Sequence, residues 1–243
     1  MTGSSRTAKA CLLLVAIFLA ATSSRAQNRP PIVEQLAKAY GIDQFGQVEA
    51  IRYTFNIDAG ALKGARSWIW EPKADRVSFD GKDKAGNPVK VTYVRSQLAS
   101  QPDNVKKEVD PAFINDNYWL LFPFHVYWDK SADVQDKGMQ KLPSGKGSAR
   151  HVVVKYASDG GYTPGDTWEL FLGPDKRVQE MVFRHGGNVK PSLVKMSWTG
   201  YKKAGPLLVS TEHRGTADDH QAHIFFTNVA VKMAGSDNWV EAK

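Results

Sequence analysis

The sequence predicts an α+β protein: one strongly curved antiparallel sheet of roughly ten strands, with helices closing its mouth. Three observations predict it. Short segments of alternating apolar and polar residues recur about every 8–12 residues along most of the chain. Helical periodicity is confined to two places, near residues 35 and 115. Several strands are apolar on both faces, so the sheet must roll around something besides water.

The first 26 residues read as a cleaved secretory signal. Arg6 and Lys9 form a basic start, Ala10 to Ala21 is an uncharged apolar run, and Ser24-Arg25-Ala26 is a small-x-small cleavage site. The run is too short to span a membrane comfortably. Cleavage after Ala26 makes Gln27 the first mature residue and directs the protein to the periplasm or outside the cell. The single cysteine, Cys11, begins the apolar run, the wrong end for lipid attachment. The mature chain therefore has no disulfide, thiolate metal site or cysteine nucleophile. Residues 27–243, about 217 in all, suffice for one domain with a real hydrophobic core.

Pro31 to Tyr40 reads as a helix with Ile32, Leu36 and Tyr40 on one face, and Gly41 ends it. The period then changes to two. In Val48–Ile57, Ile51, Tyr53, Phe55 and Ile57 share a face. Arg66–Glu71 carries Trp68 and Trp70 on one side, and Arg76–Asp80 carries Val77 and Phe79. The turn-forming stretch Asp80 to Asn87 leads into Val89, Val91 and Tyr93 as a hairpin.

Phe113 to Asp129 packs seven aromatic rings into seventeen residues. Asp110-Pro111 reads as an N-cap and a first-turn proline, and Pro123 as a stop. The spacing predicts a helix from Pro111 to Phe122 followed by a strand from Phe124 to Trp128. A helix apolar around most of its circumference must be covered or must cover something. Asn115, Asp116 and Asn117 are expected to face its rim and bond loop backbone.

The second half is almost all strand: His151–Tyr156, Thr167–Leu172, Arg177–Arg184, Leu193–Tyr201, Leu207–His213 and His223–Val231. Gly173-Pro174-Asp175-Lys176 is a tight turn. No repeat or linker divides the chain.

The whole-chain net charge is +7, and residues 1–26 carry three basic groups and no acid, leaving the mature protein near +4. The basic residues are dispersed among acids, without the aromatic-interleaved stripe that nucleic acid requires. Weak peripheral contact with an anionic membrane remains compatible with that charge.

Two clusters invite chemistry. Glu212-His213 to His220 and His223 has metal-ligand residue types at poor spacing, and reads as a solvated hairpin loop. His125 with Asp116 has the composition of a general base pair, against the plainer reading of a histidine that ties a helix end to a strand. No nucleophile elbow or phosphate loop is present.

The local motifs Asn115-Asp116-x-Tyr118-Trp119-Leu120-x-x-Pro123 and Gly165-Asp166-Thr167-Trp168-Glu169-Leu170 resemble exported bacterial proteins of the LolA/LolB-like superfamily. A secretory start, an N-terminal helix, a long antiparallel meander and a central aromatic helix extend the resemblance over most of the mature chain. It implies a half-barrel whose helices cover an apolar concave face, and a role in carrying lipoprotein acyl chains or related lipids. It also implies a concave-face arginine that grips the helical lid, a part open to Arg52 or Arg66.

The reading that follows is a non-enzymatic, monomeric periplasmic protein without metal or cofactor, binding an apolar small molecule, lipid or acyl chain. Phe113, Tyr118, Trp119, Phe122 and His125 of the lid, with Trp68, Trp70 and Trp168 of the sheet, are the expected ligand contacts. A secreted hydrolase using His125 and Asp116, or a metal at His213, His220 and His223, is one alternative. A structural or interaction module with a filled core is another.

Overall fold

The computed structural model describes residues 29–60, 62–159 and 162–243. The expected signal segment lies outside them. The chain begins with helix α1 (Ile32–Tyr40), which buries Ile32, Val33, Leu36 and Tyr40. Gly41 ends it in the left-handed region at φ +97°. A Cβ there would lie 2.3 Å from the Pro206 carbonyl oxygen, so both backbone and space demand glycine. A single turn, α2 (Ile42–Phe45), follows.

Four strands run as a meander: β1 (Val48–Ala59), β2 (Leu62–Glu71), β3 (Arg76–Lys82) and β4 (Pro88–Val94). The long central helix α3 (Asp110–Trp128) comes next. A second series follows with β5 (Asp133–Lys141), β6 (Ser148–Lys155), β7 (Thr167–Leu172), β8 (Val178–Arg184) and β9 (Leu193–Ser197). It closes with β10 (Thr199–Ala204), β11 (Leu207–Ala217), β12 (His220–Met233) and β13 (Trp239–Glu241).

These thirteen strands form one open antiparallel sheet in the order β4-β3-β2-β1-β12-β11-β9-β8-β7-β6-β5, with β10 beside β11 and β13 beside β12. The two meanders join where β1 pairs with β12, Ile51 opposite Val231 and Ile57 opposite Ile224. Two register shifts in β1, between Val48 and Ala50 and between Arg52 and Thr54, bend the sheet there. The fold is thus the α+β curved sheet that the sequence predicts, with three strands more than expected. The segment Leu193–Tyr201 is two strands rather than one, broken at Trp198, because β9 and β10 pair with different stretches of β11. Strand β5, which the alternation of the sequence does not mark, is an edge strand, polar and mostly exposed, with a bulge between Asp136 and Met139.

One continuous core fills the concave side. It takes Tyr53, Phe55, Trp68, Phe79, Trp168, Leu170, Met181 and Phe226 from the sheet, and nearly the whole length of α3.

The aromatic helix departs from expectation at both ends. Pro123 does not stop it, and Phe124 to Trp128, expected as a strand, are its last turns. A proline inside a helix forfeits a hydrogen bond and crowds the carbonyl four residues back, at about 3 kcal/mol. The helix accommodates this with a kink at Leu121 (φ −116°, ψ 18°). Complete burial of Phe122, Phe124 and Val126 outweighs the penalty. At the other end Asp110 is not the N-cap. Its backbone is already helical, continuing a π-turn at Val105–Val109. Its carboxylate accepts instead from the Tyr93 hydroxyl at 2.8 Å and Arg95 Nε at 2.9 Å.

Candidate functional site

The helix is pinned to the sheet by a buried polar clamp. On β2, Arg66 and Trp68 point inward at alternate positions. Arg66 donates from Nε to Asp116 Oδ2 at 2.7 Å and from Nη2 to Oδ1 at 2.6 Å. Trp68 Nε1 donates to Oδ2 at 2.8 Å, and Asn115 Nδ2 to Oδ1 at 3.0 Å. Asp116 is fully buried, so each of these donors replaces a lost water. Burial lowers the Arg66 guanidinium pKa, but the Asp116 carboxylate more than reverses this and holds it above its ordinary value. Of the two arginines considered for the grip, Arg66 makes it. Arg52 bonds Glu241 and lies over Trp239 instead.

A second polar group ties the distal half of the helix. His125 Nε2 bonds Asn117 Oδ1 at 2.8 Å, one helical face apart, and the imidazole stacks on Tyr118 at 3.8 Å. Asp129 Oδ2 accepts from Tyr118 at 2.8 Å and from Tyr156 at 2.7 Å. Burial raises the Asp129 pKa, but these hydroxyls and the His125 ring outweigh it, leaving the carboxyl below its usual range. Arg29 closes the end by donating to the carbonyls of Val126 and Tyr127. Asp116 and Asn117 are therefore buried and bonded to side chains, not set at a rim against loop backbone as expected. His125 and Asp116 share no hydrogen bond, because each is committed to other partners.

The eight expected ligand contacts divide by position. Trp68, Phe113 and Phe122 are wholly inside the packed core, with Trp68 and Phe113 edge to face at 5.5 Å and Phe122 stacked on Trp168 at 4.1 Å. Trp70 is half-buried against Phe113 and Trp128. Beneath the middle of the helix these rings pack on one another.

The open volume lies at the mouth, beside the first half of α3. A cavity of about 400 Å³ is bounded by Phe55, Ile57 and Leu62 of the β1–β2 hairpin, by Val194 and Met196 of β9, and by Ala222 and Ile224 of β12. Trp119, Asn115 and Arg66 close its inner side, and His185 and His220 stand in its wall. Of the eight expected residues only Trp119 reaches it. A neighbouring recess of about 280 Å³ shares Trp119 and adds Tyr118 and Trp168. A larger groove, about 550 Å³, crosses the outer face of β1 to β4. Its hydroxyls already bond one another, Thr54 to Ser67 and Ser78 to Thr92. The mouth residues had a sequence signal: Phe55 and Ile57 continue the inward alternation of β1 past the point where the helix covers it.

The histidine cluster comes apart on the β11–β12 hairpin. His213 is fully buried against Trp198 at 4.2 Å, and burial lowers its pKa to about 3. His223 lies on the opposite face and bonds Glu212 at 2.7 Å. Among the described residues no group of three His, Cys, Asp or Glu side chains could hold a metal ion.

The site is thus an apolar recess at the mouth of an open half-barrel, gripped to its lid by one arginine. No protein-family model and no curated protein sequence matches the chain. Among solved structures, it is similar to a DUF1329 family protein from Desulfovibrio piger, at 11% identity over 85% of this chain and 94% of that one, TM-score 0.46. It is also similar to the Mycobacterium tuberculosis lipoprotein LppX (8% identity, 82% and 95% of the two chains, TM-score 0.30). A third likeness is to MucB in complex with MucA(peri), at 13% identity over 85% of this chain and 57% of that one, TM-score 0.28. No described helix is long and apolar enough to cross a membrane.

Proposed function

We propose that this protein is exported to the periplasm and binds an apolar ligand, a lipid or acyl chain, without catalysing a reaction. The observation that carries the reading is the recess of about 400 Å³ at the mouth. It falls in the volume range of small-molecule sites and is walled mainly by aliphatic and aromatic side chains. The aromatic helix supplies one wall, through Trp119, and the packed core behind it keeps that wall in place. Tyr118 and Trp168 extend the contact surface into the adjoining recess. Trp68, Trp70, Phe113, Phe122 and His125 do not line the recess and belong to the packing of the helix against the sheet. Leu62, 60% exposed at the tip of the β1–β2 hairpin, gives the mouth an apolar lip suited to peripheral contact with a lipid surface.

Native mass spectrometry of protein purified from cells tests this. The expected result is a retained lipid-sized mass, or tryptophan fluorescence that shifts on titration with fatty acids. A clean ligand-free mass together with a flat titration would sink the reading.

A further inference from the structure

The mouth recess is uneven in its charge. Three ionisable groups stand in its lining, Arg66, His185 and His220, and all three are basic; no carboxylate lines it. We infer that the ligand is a single-chain amphiphile with an anionic head, carboxylate or phosphate, held at Arg66, with its chain along Ile57, Val194, Met196 and Ile224. This rests on the apolar-ligand reading and narrows it.

Arg66 is fixed before any ligand arrives. Asp116 holds two of its N–H groups, and its guanidinium lies over the Phe55 ring at 4.7 Å. A guanidinium has five N–H donors in a planar fork, so three remain for an incoming oxyanion. The side chain keeps 30% of its surface exposed, whereas Asp116 keeps none. An approaching head group therefore meets the cation and not the carboxylate that balances it. His185 is anchored through Nδ1 to Asp166 at 3.2 Å, and its Nε2 stands on the far side of the ring. A cationic head would find no carboxylate in this wall, and a neutral hydroxyl head can accept from the guanidinium but brings no charge to meet it.

Size sets the number of chains. At about 30 Å³ per heavy atom, a water's share of liquid volume, the recess takes roughly thirteen heavy atoms. That matches one chain of about a dozen carbons in this recess; the second chain of a phospholipid would need the adjoining one.

The test compares four probes on the unaltered mature protein by calorimetry, below their micelle concentrations: dodecanoate, dodecyl phosphate, dodecanol and dodecyltrimethylammonium. One or both anions are expected to bind at least about tenfold tighter than the alcohol. The cation is expected to bind weakest. Which anion leads distinguishes a fatty-acid source from a phosphate head. Alcohol and anions binding equally would overturn the inference and leave the apolar-ligand reading standing; no probe binding would remove both. Dioleoylphosphatidylglycerol binding as tightly as dodecanoate would overturn the single-chain assignment. Arg66→Lys keeps a charge beside Asp116 but loses the fork, and is expected to weaken the two anions at least about tenfold, with a smaller loss for dodecanol; an equal loss for all three would overturn the head-group assignment. Should that variant not fold, the four-probe comparison decides without it.

Discussion

Arg66 on β2 and Asp116 on α3, fifty residues apart in the chain, form a two-pronged ion pair between the sheet and the helix. It is one of the points at which the helix is keyed to the sheet, with Asp110 to Tyr93 at its start. Asp116→Ala takes the partner from Arg66, which is 30% exposed, and from the buried Trp68 indole N–H. It is expected to cost about 1–3 kcal/mol. Replacing both partners, Arg66→Met with Asp116→Leu, is expected to recover much of that loss, since no charge is then stranded. Urea unfolding of the two singles and the double measures it; additive losses would refute the pairing.

Stability should fall in mild acid because of His213. Its folded pKa is lowered to about 3 by burial, against about 6.5 when unfolded. The group is neutral in the fold, so its contribution is complete above the unfolded pKa. As pH falls from about 6.5 toward 3 the unfolded chain takes up a proton that the fold refuses, and a few kcal/mol are lost. Unfolding curves at pH 7 and pH 4.5 should converge for His213→Phe relative to the parent. An equal acid loss in both would exclude His213 as the cause.

Gly41→Ala tests the end of α1. The substitution places a methyl 2.3 Å from the Pro206 carbonyl oxygen at a backbone angle of φ +97°. A loss of about 1–3 kcal/mol is expected, read as a lower thermal midpoint. An unchanged midpoint would mean that the α1–β11 approach is looser than described.

Ala222→Trp should fill the mouth recess without touching the clamp. Ala222 lies in its wall on β12, opposite Gly215 of β11. Binding of dodecanoate should fall by at least about tenfold while the circular dichroism spectrum stays that of the parent. Retained affinity would place the ligand elsewhere.

How much of this was legible varies by element. Helix α1 and strands β1 to β4 carried clean periods, and their partners followed from short turns. The second half of α3 did not. Phe124-His125-Val126-Tyr127-Trp128 is apolar around the whole helical circumference, so no 3.6-residue pattern survives, and Pro123 supplied a false stop. Burial decided the outcome, and burial is a property of the assembled core. The aromatic side chains were visible as a set, but their division into packed core and open wall was not. Trp68 and Trp119 look alike in sequence; only the seating of the helix puts one behind the clamp and the other at the mouth. Arg66 could be named as a candidate, yet choosing it over Arg52 required knowing which face of the sheet each side chain takes.

The pairing of β1 with β12 has a consequence for assembly. Val48 lies opposite Met233, so the middle of the sheet is its most sequence-distant contact. Each meander can zip locally, but their seam waits for the C-terminal strands, which makes it the slow, entropically costly step. A chain cut before His220 would keep both halves and lose the join. It would present Ile51 to Ile57 as an unpaired edge, ready to take a strand from another molecule.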